Sequence, residues 1–341
     1  MRFGPVPVAQ SVGLISAHSV RAGGAVLRKG SRIGPEAARL LAEAGLTEIV
    51  AVALEPGDVP EDEAARAIAE AVAGEGIEIA PAFTGRANLH ARTAGVLVLD
   101  SRAIEAVNTV DEAVTLATLA PFKPVVPGEM VGTVKIIPYA VAGGVLQEAL
   151  GSVARPALAV APYRRRRVAA ISTLLPGLKD SVVDKTLRVL AGRLAPAGAE
   201  LVSDARIAHT AEAVTAALRQ AAGASELVVV FGASAIADRR DVIPSGIEAA
   251  GGRVDHLGMP VDPGNLLLLG RLGDVPVIGA PGCARSPKEN GFDWVLHRLL
   301  AGLPVGRADL VALGVGGLLM EIVSRPQPRA GGAPEDLESE G

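Results

Sequence analysis

"VVVFGASAIADRRDVIPSG", residues 228–246, opens as an apolar, β-branched run, breaks at Gly232 into small residues, and then presents two arginines, Asp241 and Pro244. A buried strand that ends at a glycine and leads into a helix opening near a proline is half of a βα unit. The same alternation recurs on both sides. Upstream, "RVAAIST" is an apolar strand, and the segment 182–194 places Val183, Leu187, Leu190 and Leu194 on one helical face. "AELV" is short and strand-like, and 211–222 is helical through Val214, Ala217, Leu218 and Ala221. Downstream, "VPVIGA" is another buried strand and "KENGFDWVLHRLLAG" a helix ending at Gly302. Strands alternating with helices predict parallel pairing through right-handed crossovers. Residues 157–324 are therefore expected to form a three-layer αβα domain, α/β in class, with a mainly parallel sheet.

Residues 1–156 read differently. In "RIGPEAARLLAEAGLTEIVAV", Gly34 and Pro35 suit the cap and first turn of a helix, Leu40, Leu41 and Ala44 give its apolar face, Gly45 ends it, and a strand follows at 48–53. "EDEAARAIAEAVAG" is a second helix with acidic residues in its first turn. "AGVLVLD" and "GTVKIIPYAV" are strand-like and separated by a Pro-rich stretch. This half is expected to be an α+β domain. "LVALGVGGLLM", 310–320, reads as buried structure, and the tail 325–341 lacks apolar residues to bury and is expected to be disordered.

Composition narrows the function. The chain has 341 residues, 49% of them hydrophobic and only 2% aromatic, with a formal charge of -4. Aromatic platforms for stacking bases are lacking and no broad positive field exists, so neither nucleic acid nor a membrane surface is an expected partner. Cys283 is the single cysteine, which excludes an intramolecular disulfide and a cysteine-based zinc cluster and suits a reducing, cytoplasmic setting. No run approaches a spanning helix.

In parallel sheets ligands bind beyond the carboxyl ends of the strands. Three loops qualify: "STLLPGLKDSVVD", "GASAIADRRDVIP" and "APGCARSPKEN". In the second, Gly232, Ala233 and Ser234 keep side chains small enough for backbone N–H groups to approach a phosphate or a flat heterocycle. Arg239 and Arg240 could pair with phosphate oxygens. Asp241 either holds a metal or hydroxyl, or caps the following helix. Cys283 either touches a metal-bearing ligand or is an inert small side chain. His209 could border the site, with a capping or surface role as its alternative, and the run Arg164–Arg167 reads as a solvated edge.

The stretch "FGASAIADRRDVIPSGIEAA" resembles the G-G-T-G…R-D-x-T-P-E-A segment of the molybdopterin-binding proteins of molybdenum-cofactor biosynthesis. "VAAISTLLPGLKDSVVDKTLRVLAGRLAPAGAELV" is similar to that family's opening strand, loop and helix, and "VIGAPGCARSP" to its strand followed by L-P-G-[NS]-P. More loosely, "LRKGSRIGPEAARLLAEAGLTEIVAV" is similar to a segment of the molybdotransferases. The resemblance implies molybdopterin, a phosphorylated pterin, as ligand, with MgATP or molybdate as second substrate. It implies Asp241 as a catalytic and Mg2+-binding residue, Asp180 (with Asp184 nearby) as a second acidic position, and Gly232, Ala233, Ser234, Arg240, Pro281, Gly282 and Ser286 as pterin-binding positions. It further implies a dimer or trimer, and other cofactor-biosynthesis proteins or a molybdoenzyme as partners. Ala233 and Ala235 stand where the family has glycines, Ile243 where it has threonine, and Ser245 where it has glutamate. The resemblance implies a transferase acting on molybdopterin; these departures favour a carrier or sensor that binds it without chemistry. A third reading is an enzyme acting on another phosphorylated or nucleotide ligand in the same fold, as in the competence-damage-protein relatives.

Overall fold

Val228, Val229, Val230 and Phe231 are all buried, inside a six-stranded sheet in the computed structural model of the chain. The structure describes residues 1–22 and 24–319, so the tail expected from Arg325 lies outside the described residues. The chain divides into two units, Met1–Pro162 and the segment from Tyr163 onward.

The second unit runs β1 (Arg167–Leu174), α1 (Asp180–Leu194), β2 (Glu200–Ala208), α2 (Ala211–Ala222), β3 (Leu227–Phe231), α3 (Val242–Ala249), β4 (Arg253–Leu257), β5 (Leu268–Leu272), β6 (Val275–Ala280), α4 (Gly291–Leu300) and α5 (Arg307–Ala312). The sheet order is β2-β1-β3-β6-β5-β4. The pairs β1–β2, β1–β3 and β3–β6 are parallel, while β5 runs antiparallel to both β6 and β4. From β1 the chain crosses through α1 to β2 on one side, then returns through α2 to β3 on the other. That reversal makes the carboxyl ends of β1 and β3 a topological switch point.

Core packing follows the strand alternation. Ala169, Ile171, Val228 and Val230 face Val214 and Leu218 of α2 and Ile243 and Ile247 of α3 in one apolar cluster. Crossovers of opposite direction put α1 on the other face, where Val183, Leu187, Leu190 and Leu194 are buried at the spacing read from the sequence. Each such side chain contributes about 1.5–3 kcal/mol when fully buried.

Three local expectations change. "AELV" is the start of a nine-residue strand, because β2 pairs with the whole of β1 from Arg167 to Leu174. As an edge strand it half-buries only alternate positions such as Ala205 and Ile207, and so carries no apolar run. The antiparallel β4 and β5 were not expected; β5 turns into β6 through Gly273 and Asp274 in a two-residue loop, with Gly273 at φ +58° as such turns require. Within 310–319, Leu310 is buried but Val311, Val315 and Leu318 are exposed, since α5 is a six-residue helix with one side chain in the core. Met320 lies outside the described residues.

The first unit is α+β, as expected. Its four-stranded sheet is antiparallel, in the order Val114–Thr118, Met130–Ile136, Arg86–Ala91, Ile77–Ile79. Helix Glu61–Val72 contributes Ala64, Ala65, Ile68, Ala69 and Val72 to the same core. Helix Pro35–Glu43 starts from Gly34 and buries Leu41, whereas Ala44 is its exposed C-cap rather than part of the apolar face.

Candidate functional site

The loops that follow β1, β3 and β6 gather beyond the carboxyl ends of these strands. Gly232 opens the second loop because nothing larger fits: an added Cβ would lie 2.6 Å from the Ser234 carbonyl oxygen and 3.0 Å from Ile243 Cδ1. The next residue is tied down, since the Ala233 N–H donates to Thr173 Oγ1 of β1 at 2.8 Å. Thr173 Oγ1 is 2.8 Å from His209 Nδ1, and His209 Nε2 is 3.3 Å from Ser234 Oγ. Ser234 itself is exposed.

Two arginines that sequence reasoning missed hold the surrounding frame. Arg285 of the third loop donates to the Gly232 carbonyl at 2.9 Å and to Thr186 Oγ1 of α1 at 3.0 Å, with its guanidinium 5.5 Å from the Phe231 ring centroid. Burial pulls its pKa below the ordinary arginine value, so its contacts with the ring and the two oxygens replace lost hydration. Arg193 of α1 pairs with Asp293 of α4 at 2.5 Å and donates to the carbonyls of Ala284 (2.8 Å), Ser286 (2.7 Å) and Lys288 (3.2 Å). One buried guanidinium thereby fixes three points of the third loop and one helix. Separations of 91 to 100 residues between these partners leave no local pattern that could reveal them.

Of the expected pterin-binding positions in the third loop, Pro281 is buried, Gly282 is exposed with open space around its Cα, and the Ser286 hydroxyl accepts from the Lys288 N–H at 3.3 Å. Cys283 Sγ donates to Asn290 Oδ1 at 3.4 Å, and burial pushes its thiol pKa up. A raised pKa keeps it in the thiol form, which favours the inert reading.

The acidic positions are otherwise engaged. Asp241 is the N-cap of α3: Oδ1 accepts from the Val242 N–H at 2.7 Å and Oδ2 from the Ala237 N–H at 3.3 Å. Arg240 is exposed and pairs with Asp238 at 2.7 Å, which holds the Asp238 carboxyl below the usual range. Arg239 donates to the Val254 carbonyl at 3.3 Å. Asp180, Asp184 and Asp204 surround Arg206 of β2, at 3.4, 2.6 and 3.1 Å, and the hydrogen bonds from Arg206 to Asp184 and Asp204 raise its pKa. Magnesium takes one or two free carboxylates and completes its shell with ligand phosphates and water. Here both oxygens of Asp241 accept backbone N–H groups and Asp184 pairs with Arg206 at 2.6 Å, while Asp180 is 80% exposed and reaches Arg206 only at 3.4 Å. Among the described residues no three His, Cys, Asp or Glu side chains come together as a metal site. These contacts weigh against a Mg2+ site already arranged around Asp241.

Comparison with known proteins finds one family model that matches part of the chain. Residues 168–303 match the probable molybdopterin binding domain. The matched segment runs from β1 to α4, includes all three site loops, and covers less than half of the chain; the resemblance read from the sequence is borne out over it. No curated protein matches the chain. Solved structures similar to it include the molybdopterin biosynthesis moea protein of Pyrococcus horikosii, with 17% identity, 88% of this chain and 75% of that one covered, and a TM-score of 0.32. The molybdopterin biosynthesis enzyme MoaB of Thermus thermophilus shows 17% identity over 41% of this chain and 98% of its own, at a TM-score of 0.27. The protein CinA of Thermoplasma acidophilum, of unknown function, shows 17% identity over 35% and 90%, at 0.29. These similarities are too distant to assign an activity. Among the described residues no helix is long and apolar enough to cross a membrane.

Proposed function

We propose that the second unit binds molybdopterin between the loops after β1, β3 and β6 and serves molybdenum-cofactor biosynthesis as a carrier or sensor of the pterin. The observation that carries this reading is the coincidence of the matched residues 168–303 with three loops converging on a switch point. Gly232, Ala233 and Ser234 would border the phosphate, and Pro281, Gly282 and Ser286 the pterin. Arg193 and Arg285 would keep both loops in place before the ligand arrives, which lowers the ordering cost of binding. Asp241 acts through the backbone of its own loop as a helix cap. Homo-oligomerisation and hand-over to a molybdoenzyme belong to the same reading.

A transferase reading, with MgATP or molybdate as co-substrate, is the competing outcome. It is weakened by the engagement of Asp241 and Asp180 with other groups in the chain. Incubation of the full chain and of Asp241→Asn with molybdopterin, MgATP and molybdate, followed by mass spectrometry of the released small molecules, separates the two. Unmodified pterin, retained by both proteins, is the expected result. Adenylated or molybdenum-loaded pterin from the wild type alone would replace the carrier with an enzyme centred on Asp241.

A further inference from the structure

Four groups from three parts of the second unit meet at the mouth of the switch point: Thr173 of β1, His209 after β2, and Ala233 and Ser234 after β3. We propose that His209 is a ligand-facing hydrogen-bond donor for an anionic oxygen, with its tautomer held by Thr173. Thr173 is 1% exposed, and its Oγ1 already accepts from the Ala233 N–H at 2.8 Å. Its hydroxyl has one proton to donate, and the acceptor within reach is His209 Nδ1, also at 2.8 Å. Were Nδ1 protonated instead, Thr173 Oγ1 would accept twice and its own proton would be buried without a partner, at a cost of about 1–3 kcal/mol.

Nδ1 therefore accepts, and the neutral ring carries its proton on Nε2. The row then has one direction: Ala233 N–H to Thr173 O–H, Thr173 O–H to Nδ1, and Nε2–H toward Ser234 Oγ at 3.3 Å. At 3.3 Å, longer than an ordinary N–H···O bond, Ser234 Oγ leaves Nε2–H to be shared with a ligand oxygen at the mouth, and its own hydroxyl proton is free to point to the same oxygen. A row that ends in donors at an exposed serine suits a phosphoryl or carboxylate oxygen and repels none of its charge. Thr173 is a positioning residue, acting only through His209, whereas His209 and Ser234 touch the ligand. The inference rests on the proposed molybdopterin reading only for which phosphorylated molecule supplies the oxygen.

The test is a long-range 1H–15N spectrum of the full chain with 15N-labelled histidine at pH about 8, above the ordinary imidazole range. The chain has five histidines, and His209→Gln identifies the signal. The expected result is the Nε2–H tautomer in the wild type, a mixed population in Thr173→Val, and a shift of the Nε2 resonance on titration with inorganic phosphate. His209→Ala should bind phosphate about tenfold more weakly, the effect of losing one hydrogen bond to a charged group. An Nδ1–H tautomer in the wild type, or an Nε2 resonance that phosphate leaves unmoved, would overturn the proposal. A phosphate-sensitive Nε2–H in a protein that does not retain molybdopterin supports the donor role and sinks the molybdopterin reading instead.

Discussion

At Gly232 one added methyl group would press on a carbonyl oxygen at 2.6 Å, and a backbone oxygen cannot swing aside as a flexible side chain can. Gly232→Ala should shift the second loop, lower stability by about 1–3 kcal/mol as overpacked sites do, and weaken pterin binding. Urea denaturation and a binding titration of the same protein check both effects. Asp241 leads to the opposite expectation for function. If it is a cap, Asp241→Ala should cost about 1 kcal/mol, Asp241→Asn only a few tenths, and Asp241→Asn should leave pterin retention unchanged. Loss of retention in Asp241→Asn at unchanged stability would return this residue to the ligand. Arg193 is costlier to touch: Arg193→Met strands the Asp293 carboxylate in the core and frees three carbonyls, so a loss of about 3–5 kcal/mol is expected in the same denaturation assay.

At the level of elements, an acidic side chain staples the start of β1 to the approach to β3. Glu226 accepts from the N–H groups of Arg166 and Arg167, and these bonds hold its carboxyl below the usual range. A depressed folded pKa means that its stabilisation is complete above the ordinary glutamate value of about 4.3 and is lost as pH falls through the lower folded value. Glu226→Gln should therefore be less stable than the wild type at neutral pH, with the difference closing as the solution is acidified through that range. A difference that stays constant down to low pH would show the staple to be no more than packing.

The elements that were legible in the sequence are those whose burial has a period. α1 shows Val183, Leu187, Leu190 and Leu194 on one face, and β3 is a continuous apolar run because both of its faces are covered. β2 and β4 sit at the sheet edges, half wet, and lose that signal. The site was legible where it lies in one loop, at Gly232 through Ser234, and illegible where it is made by meetings across the chain. The Thr173–His209 and Arg193–Asp293 pairs leave no trace in local spacing.

In the molecule as a whole, apolar cores that stay within one unit or the other predict thermal behaviour. The core running from Ala64 to Val160 and a smaller one from Val8 to Ala51 lie within the first unit, and that of α2, α3 and the sheet lies within the second. Separate cores under one chain should unfold in more than one step, so the calorimetric enthalpy should exceed the van't Hoff value. A ligand that binds only the second unit should move one transition and not the other, by about 2.7 kcal/mol at a hundredfold excess over its dissociation constant. A single transition that shifts as a whole would mean that the units unfold together.

Arg206 has a consequence at this same scale. A guanidinium belonging to the chain offsets part of the negative charge of Asp180, Asp184 and Asp204 at the mouth of the first loop, so its positive charge is present in every copy of the protein, at a fixed stoichiometry of one. A chelator cannot strip it, and fluctuations in free magnesium cannot dilute it. On the carrier reading proposed above, occupancy of the site by pterin should be the same with and without added magnesium.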